Sequence, residues 1–351
     1  MIIMNYKSTS IRTIMLGAIV LSIFATSCTK DALDTSTNKV DSTAVDQLLA
    51  ELDPAAQSFT IDPSHVNEIS GEDGTVITIP ANAFVDEKGA VVIVPVTITL
   101  KEILTVKDQL LSKINSSSND SVVKSIGSFF FEASVNGKKL ELGINQSLTF
   151  KIPAVKVDTT MKVFVGNNKL DSAFDWIPVD SNLSNPLLDT VGGNSDTSNV
   201  NSYSLHYGFN TYELKVHSLY QFTSFNLGQY YDYSNPNSDY YSTIVYKLPC
   251  TVSVAGGKKE AIDFKLDVVY RQFNMVGNLQ TPGVVSSNIV IDANELFFLG
   301  KEATIIIVGI GKSSKKPYFG KSTFTVAANS TPSINIIQMS NEEMFAALNN
   351  I

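Results

Sequence analysis

Residues 75–103 read TVITIPANAFVDEKGAVVIVPVTITLKEI. In the first run Ile77 and Ile79 share a face; in the last, Val96, Ile98 and Leu100 alternate with Thr97, Thr99 and Lys101. A period of two in β-branched and apolar residues describes strands packed on one side and wet on the other. Pro80 and Pro95 stand where one strand ends and another begins, the places where a missing N–H does least harm. Asp86-Glu87-Lys88-Gly89 closes the segment between the two runs. None of these residue types makes a catalytic constellation, so the stretch speaks of architecture and not of chemistry.

Downstream, Asn136-Gly137 is a strong two-residue hairpin signal, because both positions of a type I′ turn need positive φ. The register it sets places Ala133 opposite Leu140, Phe131 opposite Leu142 and Phe129 opposite Ile144, with Ser134 meeting Lys139 on the other face. Burial of Phe129 and Phe131 is expected to contribute ~1.5–3 kcal/mol each before entropy is counted. Upstream, Glu72-Asp73-Gly74 is a turn feeding the quoted strands, and Leu104, Val106, Leu110 and Leu111 predict a short helix. Leu148 to Ile152, Lys162 to Val165 and Trp176 to Val179 read as further strands, with Trp176 a core side chain rather than a sugar platform.

Residues 180–202 are rich in Asn, Ser, Asp and Gly and read as a long loop or linker. Short strands then recur to Val326, with turns at Gly256-Gly257 and over 312–316. Gly309 and Gly311 are not a nucleotide-binding motif, because no helical pattern follows them. Ser340-Asn341-Glu342-Glu343 resembles a capping box ahead of a C-terminal helix docked through Met344, Phe345 and Leu348. The recurrence of short strands and turns predicts an all-β chain with two β-sandwich-like domains. The expected divisions are 1–27 signal peptide, 28–55 acylated cysteine and tether, 56–180 first domain, 181–202 linker, and 203–351 second domain with its helix.

The N-terminus gives an address. Lys7 and Arg12 precede an uncharged apolar run, Ile14 to Ala25, that is short for a bilayer span. Ala25-Thr26-Ser27-Cys28 follows and resembles a bacterial lipobox, which implies lipid attachment at Cys28. Lys30-Asp31 looks like the charged export signal of surface lipoproteins. With Cys28 acylated, Cys250 has no cysteine to pair with and reads as a small buried hydrophobe. The stretch from Thr29 to about Asp53 reads as a tether, although Val45, Leu48, Leu49 and Leu52 in it fall at helical spacing. The formal charge is −8, with 34 acidic against 26 basic side chains, and no basic cluster, which speaks against nucleic acid as a partner.

Few residues suggest chemistry. His65, His206 and His217 lack metal-ligand spacing to one another, and Asp62, Glu68, Glu72 and Asp73 read as a solvated acidic turn rather than a calcium loop. No nucleophile-elbow serine occurs, so no catalytic residue, metal or cofactor is assigned. Tyr230, Tyr231, Tyr233, Tyr240 and Tyr241 sit among Ser, Asn and Asp, a composition that gives binding loops flat, stiff contact area with polar tips. They are the ligand-contact candidates; the opposing reading folds them back onto the sheet.

The run ITIPANAFVDEKGAVVIVPVTITLKEI resembles the core of ZU5-type β-sandwich domains. Together with SFFFEASVNGKKLEL, LTFKIP, MKVFVG and FDWIPV it is similar to uncharacterised surface lipoproteins of Bacteroidota. The resemblance implies a scaffold and an address and brings no catalytic residue. The expectation is an outer-membrane lipoprotein, periplasmic or surface-exposed, acting as a non-enzymatic binding or structural module. Its expected partners are the membrane, through the lipid, and a glycan or a surface protein. The alternative is a hydrolase of polysaccharide or peptide, which a β-sandwich hosts without a recognisable motif. A crevice with two carboxylates and one raised pKa would favour the hydrolase, and a broad exposed aromatic patch would favour binding.

Overall fold

The quoted stretch supplies strands to two different sheets. The structure is a computed structural model that describes residues 43–118, 121–154, 156–167, 175–179, 203–208, 210–217, 219, 224–231, 244–257, 260–279 and 289–351. Cys28, the segment before residue 43, the linker at 181–202, and Tyr233, Tyr240 and Tyr241 lie outside the described residues.

In chain order the first strands are β1 (Gln57–Ile61), β2 (Asn67–Ser70), β3 (Val76–Ile79), β4 (Phe84–Val85) and β5 (Val96–Ile103). Then come β6 (Ser117–Ser118), β7 (Ser121–Val135), β8 (Lys138–Lys139), β9 (Glu141–Leu142) and β10 (Leu148–Pro153). Five more complete this body: β11 (Lys162–Asn167), β12 (Asp175–Pro178), β13 (Tyr203–Tyr207), β14 (Thr211–Val216) and β15 (Ser224–Tyr230). One sheet runs β1-β5-β7-β15-β11-β12 and the other β13-β14-β10-β3-β2. Ile77 and Ile79 on β3 and Val96, Ile98 and Leu100 on β5 are at most 1% exposed and share one core. Phe131 of one sheet meets Phe150 of the other edge-on, with ring centroids 5.4 Å apart. The alternation read from the sequence is therefore the inner faces of a two-layer sandwich.

The hairpin forms only in part. Asn136 and Gly137 take φ of 51° and 74°, Ser134 faces Lys139, and Leu140 N donates to Ala133 O at 2.9 Å. The expected pairs Phe131–Leu142 and Phe129–Ile144 do not form. Phe131 opposes Leu100 and Phe129 opposes Glu102 across β5, while Leu142 opposes Phe84 in the separate pair β4–β9. Ile144 is 93% exposed. The physical reason is competition for an edge: β15 takes that side of β7, setting Phe225 opposite Phe129 and burying Phe225 and Leu227 completely.

The domain boundaries also move. β14 pairs with β10, Leu214 opposite Phe150, and β15 pairs with both β7 and β11, so β13, β14 and β15 belong to the first sandwich. The composition that suggested a linker at 181–202 is blind to whether the next strand returns to the same sheet. The tether expected to run to residue 55 is shortened as well. Helix α1 (Thr43–Leu52) buries Val45, Leu48 and Leu49, which are 2%, 5% and 1% exposed. Lys101 Nζ on β5 forms an ion pair with Asp53, just past the end of α1.

The second body consists of β16 (Ile244–Val254), β17 (Ile262–Tyr270), β18 (Met275–Leu279), β19 (Ile289–Phe298), β20 (Glu302–Gly311), β21 (Pro317–Thr325) and β22 (Ser333–Gln338). Their order is β18-β17-β20-β21-β22-β16-β19, and β22 runs parallel to β16. The sheet folds back so that Cys250 and Val252 on β16 share a core with Phe264 and Leu266 on β17 and Ile305 and Ile307 on β20. Cys250 is fully buried there, as expected of a small hydrophobe.

The opposite face of this sheet is covered by helices. Val269, Ile306, Val308 and Phe319 pack against α1, α2 (Val106–Leu111) and α3 (Asn341–Leu348). The capping box predicted for α3 is present: Glu343 N donates to Ser340 Oγ at 3.2 Å, and Ser340 N donates to Glu343 Oε2 at 2.8 Å. Met344 and Leu348 are fully buried, whereas Phe345 is half-buried beneath Lys107 Nζ, 5.0 Å from its ring centroid.

Candidate functional site

The tyrosines named from the sequence divide. Tyr231 is 2% exposed, its ring centroid 4.6 Å from that of Phe273 and 4.5 Å from that of Phe298. Tyr230 is half-buried; its ring meets Phe164 edge-on at 5.3 Å and its hydroxyl lies 3.1 Å from Ser118 Oγ. Tyr231 is a core side chain and is not placed to meet a ligand, while Tyr230 packs one part of its ring on a small core. Tyr233, Tyr240 and Tyr241 are outside the described residues. Trp176 is core, fully buried with Nε1 donating to Asn115 O at 3.0 Å.

Three polar groups invite a catalytic reading, and among the described residues none has the arrangement such chemistry needs. Ser64, His65 and Asp62 lie close together, but Ser64 Oγ and Asp62 both approach the same ring nitrogen, Nδ1, at 2.8 and 3.3 Å. A relay needs the nucleophile on one nitrogen and the carboxylate on the other. Asp73 is held above the usual carboxylate range by burial and by the charge of Glu102. Glu102, however, is 7% exposed and fully occupied: Oε1 accepts from Thr75 N at 2.9 Å, and Oε2 accepts from Asp73 N at 2.9 Å and Gln57 Nε2 at 3.1 Å. It fixes the 71–75 turn. The histidines are scattered. His206 is exposed, and half-burial and Lys215 push His217 below its ordinary value. Among the described residues no three side chains that bind metals converge.

The cavity that stands out is a cleft of about 820 Å³ where the two bodies meet. Its first wall comes from Leu104 and Thr105 after β5, from Val106 and Lys107 at the start of α2, from Ser125 and Ile126 on β7, and from Pro153 at the end of β10 with Ala154 and Lys156 beyond it. Its second wall is Arg271 and Asn274, on the turn between β17 and β18, with Leu348, Asn349 and Ile351 at and after the end of α3. The walls are tied together. Asn274 Nδ2 donates to Leu104 O at 2.9 Å, Gln109 Nε2 donates to Asn274 O at 3.0 Å, and Lys107 Nζ donates to Asn349 Oδ1 at 3.0 Å. Asn274 adopts φ of 47°, a left-handed conformation that asparagine tolerates better than most residues, and this aims its amide at the first body.

The electrostatics of the cleft run against those of the chain. Three cationic side chains line it and no carboxylate side chain does, in a protein of formal charge −8. Lys107 has partners in Asn349 and, at 3.8 Å, Asp108. Lys156 and Arg271 face the cleft from different bodies, and neither forms an ion pair among the described residues. No aromatic ring is in the lining. Sequence reading missed this site because its basic residues lie at positions 107, 156 and 271, with no motif linking them; only the topology brings them together.

A second surface lies at the other end of β5. Val91, Ile93, Val94 and Ile144 are 51%, 79%, 48% and 93% exposed around the β4–β9 pair. They are aliphatic, not the aromatic patch that the sequence reading set as a mark of binding. Comparison of the chain with models of protein families and with curated proteins finds no match.

Proposed function

We propose that this chain is an extracytoplasmic lipoprotein, anchored through Cys28, whose β bodies form a binding module at the cell envelope. The observation that carries the binding half is the cleft: solvent-open cations, two amides and an aliphatic floor, with no acid–base pair in its lining. Such a surface supports recognition of a ligand. For the hydrolase alternative, the interacting carboxylates Asp73 and Glu102 are a poor pair, because Glu102 is committed to the turn it closes. The anchoring half rests on the tetrad ending in Cys28. Residues 29–42 separate that cysteine from α1, and such a segment reaches at most roughly 50 Å whatever its conformation. Among the described residues no helix is long and apolar enough to cross a membrane. The resemblance to ZU5-type domains and to Bacteroidota surface lipoproteins supports the same reading.

The test is metabolic labelling of the producing bacterium with an alkyne fatty acid, followed by fractionation and protease shaving of intact cells. Label in the outer membrane fraction that disappears in Cys28→Ser is the expected result. An unlabelled, cytosolic protein would overturn the anchor.

A further inference from the structure

We propose that the cleft between the two bodies binds an amphiphilic anion: a carboxylate or phosphate head group on a short aliphatic body. The inference rests on the binding-module reading and names its ligand class. Lys156 and Arg271 carry the argument, because each stands in the cleft without a carboxylate partner and each comes from a different body. An anion seated between them would be held from both sides. Arg271 offers a planar fork suited to two oxygens, and Lys156 a mobile point charge. At the same wall Asn349, whose Oδ1 accepts from Lys107 Nζ, has its Nδ2 hydrogens left to donate, and Asn274 Nδ2, which gives one hydrogen to Leu104 O, has a second.

The rest of the lining specifies the body of the ligand. Leu104, Ile126 and Ile351 make an aliphatic floor, so an uninterrupted array of hydroxyls would be left unsatisfied against it. Sugar rings dock most readily on aromatic faces, and the lining has none, which disfavours a neutral glycan. A volume of about 820 Å³ suits a small molecule rather than a folded partner. A free fatty acid and a lipid-derived phosphate share this chemistry, and the experiment separates them.

The experiment is calorimetric titration of the full chain in non-ionic detergent, with micelle blanks, against hexanoate, hexyl phosphate, hexanol and hexylammonium. Both anions, or one of them, are expected to bind at least tenfold tighter than the neutral and cationic probes, and the stronger anion identifies the head group. Lys156→Gln and Arg271→Gln are each expected to weaken the anion about tenfold, the scale of a lost charge-assisted contact. Lys88→Gln, on an exposed turn outside the cleft, is expected to leave binding unchanged. Both cleft residues are exposed, so unchanged thermal melting should accompany their loss of binding. Hexanol binding as tightly as hexanoate overturns the anion assignment while leaving a binding module. Anions that bind equally to both variants overturn the site, and no binding by any probe overturns the inference. None of these outcomes bears on fatty-acid labelling at Cys28, which reads the anchor independently.

Discussion

The two β bodies bury their strands in different ways. In the first, β5 has one dry face and alternates: Val96, Ile98 and Leu100 are fully buried while Thr97 is exposed and Thr99 and Lys101 are half-buried; farther along the same sheet, Phe164 and Trp176 are buried on the other face. In the second, β20 is dry on both faces from Ala303 to Val308, with Ile305 and Ile307 in the inner core and Ile306 and Val308 under the helices. A strand with a single dry face announces its orientation in the sequence; a strand covered on both sides reads only as an apolar run. The helices that cover the second body come from residues 43–52, 106–111 and 341–348, two of them flanking or interrupting the first body's own strands. The second body therefore depends on segments that sequence order assigns to the first.

The largest expected effect tests the sandwich half of this contrast. Phe150→Ala removes a fully buried ring that touches Phe131 and Phe225, and should cost about 3–5 kcal/mol in denaturant unfolding. Leu49→Ala tests the dependence of the second body on α1. If the helix is a structural layer, the loss is about 2–5 kcal/mol; if it were loose tether, the loss would stay under about 0.5 kcal/mol. Gly137→Ala is smaller, about 1 kcal/mol, because open space surrounds the position and only its φ of 74° resists a side chain.

The finest distinctions are read against pH, and two carboxylates of the second body have opposite signs. Glu260 accepts hydrogen bonds from the Tyr318 hydroxyl and from Ser314 N, which draw its pKa down to about 2; burial, with the Glu260 bond second, pushes Tyr318 up to about 12. Its contribution is present above about pH 4.5 and is lost as pH falls toward 2, so Glu260→Gln should flatten that part of the acid-unfolding curve. Asp267 lies on the helix-covered face of β17, 1% exposed, with Lys265 at 3.4 Å; burial raises its pKa. A raised carboxyl opposes folding when charged. Asp267 should therefore stabilise the fold as pH drops through its folded pKa, a gain that Asp267→Asn removes. Equal acid profiles for the two variants would erase the distinction.

What was legible follows from the same physics. Period two exposed β3 and β5, the Asn136-Gly137 pair exposed a turn, and Ser340 with Glu343 exposed the cap of α3. Each is a local code. The partners of a strand are not: nothing within residues 138–144 reveals that β15, about a hundred residues onward, outbids them for the edge of β7. Val45, Leu48 and Leu49 showed helical spacing, yet polar neighbours gave the segment the composition of a tether. The cleft was the least legible feature, since a lysine after β10 and an arginine after β17 have no common pattern until the chain folds.

The placement of α1 has a mechanical consequence. A load applied to the chain ahead of Thr43 enters the fold through a helix laid across the second sheet, and is handed on at Asp53 to Lys101 of the first. Tension would be shared by both bodies at their joint instead of peeling an edge strand from either, so the fold is gripped at its middle.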